Sequence, residues 1–145
     1  MVRMLAAAAL ALSAVPAQSQ PLPEITLRIA GHAVRAEVAH TDATRTKGLM
    51  FRKSMKDGDG MLFVFAEQAF HSMWMQNTYL PLSVAFIDHE GVILNIADMQ
   101  PQTTNPHSAA GLAKYALEMN QGWFSRRGIK AGAKIDGIGK APPAQ

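Results

Sequence analysis

Apolar and polar side chains alternate along two stretches of the chain, residues 25–39 and residues 82–100. Alternation with a period of two is typical of strands that bury one face, and glycine accepts the positive φ of a tight turn. The first stretch, ITLRIAGHAVRAEVA, has Gly31-His32 at its centre, and the second, LSVAFIDHEGVILNIADMQ, has His-Glu-Gly at residues 89–91. Each stretch therefore predicts a two-stranded hairpin.

Shorter patterns predict the remaining elements. Residues 41–48 indicate a short helix, because Thr41 or Asp42 can cap its first amides and Gly48 can end it. The aromatic, apolar run at residues 61–67 predicts a buried strand, residues 114–119 and 133–138 predict two further strands, and NQGWFSRRG predicts a turn or a single helical turn. We expect a mainly β fold, a compact single-domain β barrel or sandwich with one or two short helices.

The amino-terminal residues have the pattern of a secretion signal peptide, assigned to residues 1–19. Arg3 precedes an apolar, alanine-rich run that is too short for a membrane span, and small residues at Val15 and Ala17 favour cleavage after Ala17 or Ser19. We therefore expect a periplasmic or secreted protein that does not contact the membrane after cleavage. Residues 20–139 are assigned to a single β-rich domain and residues 140–145 to a disordered tail.

Composition excludes several classes of function. Without Arg3 the chain carries 13 basic and 11 acidic side chains, and these are scattered, whereas nucleic-acid binding requires a basic stripe. We therefore expect no nucleic-acid partner. The chain contains no cysteine, so it has neither disulfides nor a thiol nucleophile.

Ordered sequence blocks lie between about Val38 and Ile138. The blocks are Arg45 with Gly48-Leu49-Met50 and Arg52, then Gly60-Met61-Leu62-Phe63-Val64-Phe65, Trp74-Met75-Gln76-Asn77-Thr78, Pro81-Leu82, Leu117-Glu118 and Gly122. In this order they resemble the blocks of domain-of-unknown-function family 192, also called uncharacterised protein family 0127. The resemblance implies a compact, predominantly β domain that is usually exported. It implies no activity.

The chain departs from the pattern of that family at two places. The family usually has aspartate after Pro81-Leu82, where this chain has Ser83, and relatives commonly carry a cysteine within residues 101–111, where this chain has none. A mechanism centred on that aspartate is therefore in doubt here.

Aromatic and polar side chains cluster in otherwise apolar blocks, and this pattern indicates a binding pocket beside Trp74 and Asn77. Tryptophan offers a flat apolar face with one donor, amides and hydroxyls offer donors and acceptors, and arginine offers a planar fork. We expect a small polar ligand or a segment of an exported protein partner to bind there. The candidate ligand-binding residues are Arg45, Met50, Arg52, Trp74, Gln76, Asn77, Thr78 and Glu118. Structural roles remain open, since Asn77 and Thr78 can satisfy a turn and Arg45 can pair with Glu118.

Soft-metal binding is the alternative. His71, Met73 and Met75 alternate, so on a strand they face one side, and thioether and imidazole donors suit copper(I). Strand geometry separates His71 from Met75 by about 13 Å, so one ion requires a bend. Methionines that simply fill gaps in the core explain the same pattern. We expect no cofactor, with copper(I) as the alternative.

Enzymatic activity has weaker support. No serine lies in a G-x-S-x-G elbow. Glu118 is the one acid within an apolar run, YALEM, where burial could raise its pKa and make it an acid or base of a hydrolytic or carbohydrate-acting enzyme. A further alternative is an accessory module that recruits another exported protein.

Overall fold

The computed structural model describes residues 20–145, so the predicted signal peptide lies outside the described residues. The strands are β1 (Glu24–Ile29), β2 (His32–Ala39), β3 (Asp59–Ala69), β4 (Ser72–Met73), β5 (Leu82–Ile87), β6 (Ile93–Met99), β7 (His107–Ser108), β8 (Ala113–Asn120) and β9 (Ile135–Asp136). The helices are α1 (Asp42–Lys47) and α2 (Trp123–Arg126), followed by a 3-10 turn at Ile138–Lys140. No helix of the described part of the chain is long and apolar enough to cross a membrane.

Both predicted hairpins and the predicted helix are present. Strands β1 and β2 pair antiparallel around Ala30 and Gly31, which both have positive φ, at 48° and 81°. Two successive left-handed residues twist a two-residue turn to match the strands on either side. Thr41 caps α1 reciprocally with Thr44, because each side chain accepts a hydrogen bond from the main-chain amide of the other.

Seven strands form one curled sheet in the order β6-β5-β8-β3-β2-β1-β9. Neighbouring strands pair antiparallel except for β2 and β3, which are parallel and are connected through α1. The two ends of the sheet meet where Val92, just before β6, bridges to Lys134, just before β9. The predicted mainly β fold is therefore confirmed, in its barrel-like form.

Both faces of the curled sheet are buried. The first core receives buried side chains from all seven strands and from Trp123 and Phe124 of α2, so it fills the inside of the curl. The second core lies on the opposite face, where residues from the connecting segments, including Leu49, Met75 and Leu80, cover strands β3, β5 and β8. The covering layer of this second core positions the site described below.

The carboxy-terminal segment differs from the prediction of a disordered tail at residues 140–145. The main-chain amide of Gln145 donates to the His40 carbonyl at 2.7 Å, and a ring nitrogen of His40 lies 3.1 Å from the Pro143 carbonyl oxygen. Ala141 and Ala144 also pack against the first core. These contacts order the segment beside the start of α1.

Candidate functional site

A small cavity lies between the sheet and the segments that cover its second core. Its volume is about 160 Å³. Ten residues line it: Arg45, Gly48, Leu49, Phe63, Phe65, Ser72, Met73, Trp74, Thr78 and Glu118. We call this space the Trp74–Glu118 cavity, because Trp74 belongs to the covering layer and Glu118 to the sheet.

Glu118 reaches the cavity because of its position in the sheet register. It lies on β8 between Met61 of β3 and Val84 of β5, so its side chain is on the face of the second core. Gly60 brings β3 close to β8 at this point, since a Cβ at residue 60 would lie 2.6 Å from the Glu118 carbonyl oxygen. The main chain at residue 118 is thereby fixed by one strand on each side, β3 and β5.

The carboxyl group of Glu118 is buried without a partner. Its residue is 3% exposed, and no hydrogen bond or ion pair joins its side chain to another residue within 20–145. Burial alone raises the pKa of this carboxyl from its ordinary 4.5 to about 8, because the charged form loses its hydration. The group is therefore available to bind whatever enters the cavity.

Arg45 lines the same cavity but its donors are used elsewhere. One terminal nitrogen donates to the carbonyls of His40 and Val64 at 2.8 and 2.9 Å, and the other donates to Asp42 at 2.6 Å and to the Gln145 carbonyl at 3.0 Å. The ion pair between Arg45 and Glu118 that the sequence left open is therefore wrong. Arg45 holds α1 against β3 and the carboxy terminus, which is a structural function.

Trp74 lies at the entrance and is 50% exposed. A second cavity of about 280 Å³ lies beside it, lined by Ser72, Met73, Trp74, Thr104 and Pro106. The two cavities share the residues 72–74. Trp74 thus contributes to the lining of two concavities, and ligand binding there stays a prediction.

Among the three polar residues that follow in the sequence, only Thr78 lines the cavity. Its hydroxyl donates to the Gln76 carbonyl at 2.9 Å, which leaves its oxygen as an acceptor. Asn77 is left-handed, with φ of 51°, and its carbonyl accepts the amide of Phe51 at 2.9 Å. Gln76 and Asn77 therefore form a turn that joins two covering segments. For Asn77 this is the structural role in a turn that the sequence left open.

Met50 and Arg52, the other two candidates, line a separate cavity. That space has a volume of about 440 Å³ and includes Glu37 and Phe51. Arg52 makes a forked ion pair with Glu37, with N–O distances of 2.5 and 3.1 Å. The eight candidates thus divide, and the residues brought together around one cavity are Arg45, Trp74, Thr78 and Glu118.

The three candidate ligands for a soft metal have separate environments. Burial alternates as predicted, but Met75 is fully buried in the second core and Met73 packs against that core. His71 stacks on Phe65 at a centroid distance of 3.8 Å, and its Nε2 lies 2.7 Å from the Glu67 carbonyl oxygen. Within residues 20–145, no three His, Asp or Glu side chains are grouped to hold a metal ion. Copper binding through the methionines stays a prediction.

Some lining residues were not singled out from the sequence. Leu49, Phe63 and Phe65 are apolar residues of the family blocks, and their pattern predicts only a core.

Ser83 occupies the position where the family usually has aspartate. Its hydroxyl donates to Asp98 at 2.6 Å and accepts from the Gly122 amide at 3.0 Å. Asp98 lies opposite Ser83 on β6, so a carboxylate is present next to that position on the neighbouring strand.

Comparison with known proteins identifies the class of this chain. The model of the family DUF192, described as "Uncharacterized ACR", matches residues 25–137, so the chain belongs to that family and the predicted resemblance is confirmed. No curated protein matches the chain.

Two solved structures share this fold. A protein of Sinorhizobium meliloti 1021, provisionally designated a transcription regulator, is 33% identical, with 84% of this chain and 99% of that chain covered and a TM-score of 0.80. A protein of unknown function from Novosphingobium aromaticivorans DSM 12444 is 34% identical, with 86% and 91% covered and a TM-score of 0.77.

Proposed function

We propose that this protein is exported and binds a small polar ligand in the Trp74–Glu118 cavity. The observation that carries the proposal is the buried carboxyl group of Glu118, which faces the cavity without a protein partner. The aromatic and aliphatic lining supplies apolar contact, and Thr78 adds a second polar atom. An apolar lining with a few converging polar groups is the usual composition of small-molecule sites.

The energetic argument supports a ligand rather than a structural role for Glu118. An unpartnered buried polar group costs free energy of folding, commonly about 1–3 kcal/mol and more when charged. An apolar residue at position 118 would avoid that cost, since its neighbours Met61 and Val84 are apolar. A ligand that donates a hydrogen bond to the carboxyl removes this penalty when it binds, so the bound protein is more stable than the free protein.

Export rests on the amino-terminal sequence. Arg3 followed by an apolar run and the small residues Val15 and Ala17 has the order of a secretion signal.

A segment of an exported protein partner is the second candidate occupant, and an exposed aromatic surface favours it. Phe51, Trp74 and Tyr79 are 56%, 50% and 43% exposed, and the rings of Phe51 and Tyr79 pack edge to face at 6.2 Å. Exposed aromatic residues are enriched where proteins bind one another. An extended side chain of such a partner could enter the same cavity.

Nucleic-acid binding, which the designation of the Sinorhizobium meliloti relative suggests, has less support. Arg35 pairs with Asp59, Arg52 with Glu37, and Arg127 with Asp57. Arginines neutralised by adjacent carboxylates do not form the free basic surface that phosphate groups require.

The direct test is a thermal-shift screen of residues 20–145 against amines, sugars, nucleotides, peptidoglycan fragments and metal ions. A ligand raises the apparent stability by mass action, about 2.7 kcal/mol at a concentration one hundred times Kd. Trp74→Ala and Glu118→Gln should abolish the shift. Phe70→Ala is the matched control, because Phe70 is 64% exposed and lies outside the cavity lining. Ligand shifts that survive in both cavity variants would contradict the proposal.

A further inference from the structure

Most polar side chains of the Trp74–Glu118 cavity already have hydrogen-bond partners in the protein, and none of those bonds involves Glu118. Thr78 gives its proton to the Gln76 carbonyl, Ser72 shares a hydrogen bond with Ser108 at 2.8 Å, and the terminal nitrogens of Arg45 donate to four oxygens. No protein donor reaches Glu118 among the described residues. The ionised carboxyl offers only acceptor oxygens, so a hydrogen-bond donor on a ligand is the group that complements its charged form.

The charges around Glu118 determine which donor fits best. From β3 and β5 it faces Met61 and Val84, and the covering segment contributes Ser72, Met73, Trp74 and Thr78, so these elements add no charge. The one charged residue of α1 that lines the cavity is Arg45, whose guanidinium lies 2.6 Å from the Asp42 carboxylate and is neutralised there. Glu118 is thus the one uncompensated ionisable group among the lining residues.

The remaining lining is suited to a cation on an aliphatic chain. Phe63, Phe65 and Trp74 contribute aromatic rings to the lining, and although His71 covers one face of Phe65, Trp74 is half-exposed; the face of an aromatic ring attracts a cation. Leu49 and Met73 offer apolar surface for methylene groups. A volume of about 160 Å³ accommodates a short chain and one polar head, not a nucleotide.

We infer that the ligand group bound by Glu118 is a primary ammonium on a short unbranched chain, either a free alkylamine or a lysine side chain of a partner segment. This inference rests on the proposed function, since it specifies what the same cavity binds. The ammonium donates to the Glu118 carboxylate, and the aliphatic chain lies between Trp74 and Met73. Proton balance follows directly, because an ammonium binding to the protonated Glu118 releases one proton to solvent.

The raised pKa of Glu118 supports this arrangement and gives it a pH dependence. With a pKa of about 8 in the free protein, the carboxyl is mostly protonated at pH 7 and mostly ionised at pH 9. An alkylammonium remains charged at both values, as lysine does with its pKa of about 10.4. We therefore expect its affinity to increase roughly tenfold from pH 7 to pH 9.

The test is a titration with n-butylammonium and with n-butanol, its uncharged analogue, followed by the indole N–H signals in nitrogen–proton correlation spectra. The chain has two tryptophans, and Trp123 is buried in the first core, so its signal is an internal reference for the Trp74 signal. The inference predicts that n-butylammonium shifts the Trp74 signal with an affinity roughly tenfold higher at pH 9 than at pH 7. We expect Glu118→Gln to lower the affinity for n-butylammonium at least tenfold and to remove the pH dependence of that affinity.

The outcomes separate the inference from the proposed function. Equal binding of n-butanol and n-butylammonium, unchanged in Glu118→Gln, would overturn the ammonium inference while leaving a ligand cavity. A Trp74 signal that responds to neither probe, nor to any compound of the thermal-shift screen, would overturn both. Nα-acetyl-lysine amide distinguishes the two sources, because binding comparable to n-butylammonium supports a lysine side chain and its exclusion supports a free amine.

Discussion

Arg45 and Glu118 line one cavity, yet the Arg45 guanidinium donates to Asp42 and three main-chain carbonyls and leaves the Glu118 carboxyl without a partner. An arginine beside a buried acid ordinarily forms an ion pair with it. Here the two residues have separate functions. Arg45 holds the wall of the cavity together, and Glu118 is left free to bind.

Arg45→Lys is expected to destabilise the protein by about 2–4 kcal/mol, because a single ammonium cannot reproduce donors to four oxygens and leaves part-buried carbonyls unpaired. Urea denaturation monitored by circular dichroism measures the loss. Arg28→Lys is the matched control, since Arg28 is exposed on β1, and it should leave the midpoint unchanged. A midpoint for Arg45→Lys equal to that of the control would mean that the four hydrogen bonds contribute nothing.

Glu118 makes the stability of the protein depend on pH. Its pKa is raised to about 8 in the folded state from 4.5, so folding favours the protonated form. The contribution of the protonated carboxyl to the free energy of unfolding is fully present below pH 4.5. It is lost as pH rises toward 8, at about 1.4 kcal/mol per pH unit. Free energies of unfolding at pH 5, 6, 7 and 8 measure the slope.

The matched variants for that slope are Glu118→Gln and Glu67→Gln. Glu118→Gln should flatten the dependence between pH 5 and 8, because no proton is then exchanged at position 118. Glu67 is exposed on β3, so Glu67→Gln should retain the slope of the parent protein. A slope that persists in Glu118→Gln would assign the pH dependence to another group.

The hydroxyl of Ser83 connects Asp98 with the Gly122 amide, so Ser83→Ala should cost about 1–2 kcal/mol through the unpaired amide. Ser83→Asp restores the usual residue of the family but sets two carboxylates opposite each other on β5 and β6, which is destabilising. The combination with Asp98→Asn should recover most of that loss. A double-mutant cycle from urea denaturation measures the coupling, and additive effects would contradict the predicted contact.

Asn77 adopts the left-handed conformation, with φ of 51°, where its carbonyl receives the Phe51 amide. Asn77→Val should therefore destabilise the protein by about 1–2 kcal/mol, whereas Asn77→Gly should be close to neutral. Thermal unfolding of both variants compares them. Equal losses of stability in the two variants would contradict this, because they would assign the contribution of Asn77 to its side chain and not to its backbone conformation.

Local patterns were sufficient to predict most of the fold. The hairpin around Ala30 and Gly31 and the helix capped by Thr41 depend on neighbouring residues, and both are present as predicted. The parallel pairing of β2 with β3 and the short pair β4–β7 depend on contacts between distant residues. Periodicity carries no information about such partners.

The site was predicted in part for the same reason. Trp74 and Glu118 have unusual chemistry for their blocks and could be singled out, but they meet only because β8 lies beneath residues 72–78. Arg45 and Arg52 look equivalent in the sequence, and the structure separates them through their partners, Asp42 and Glu37. Which candidates share a cavity is a property of the register and of the covering segments.

The central claim is that the Glu118 carboxyl lies in the cavity without a protein donor and is free to bind a ligand. A titration of the Glu118 side-chain carboxyl carbon by nuclear magnetic resonance measures this most directly. The account predicts a midpoint at about pH 8 in the free protein, which moves to lower pH when n-butylammonium is present. A midpoint near 4.5 that n-butylammonium does not change would contradict it, because the carboxyl would then be hydrated or already paired.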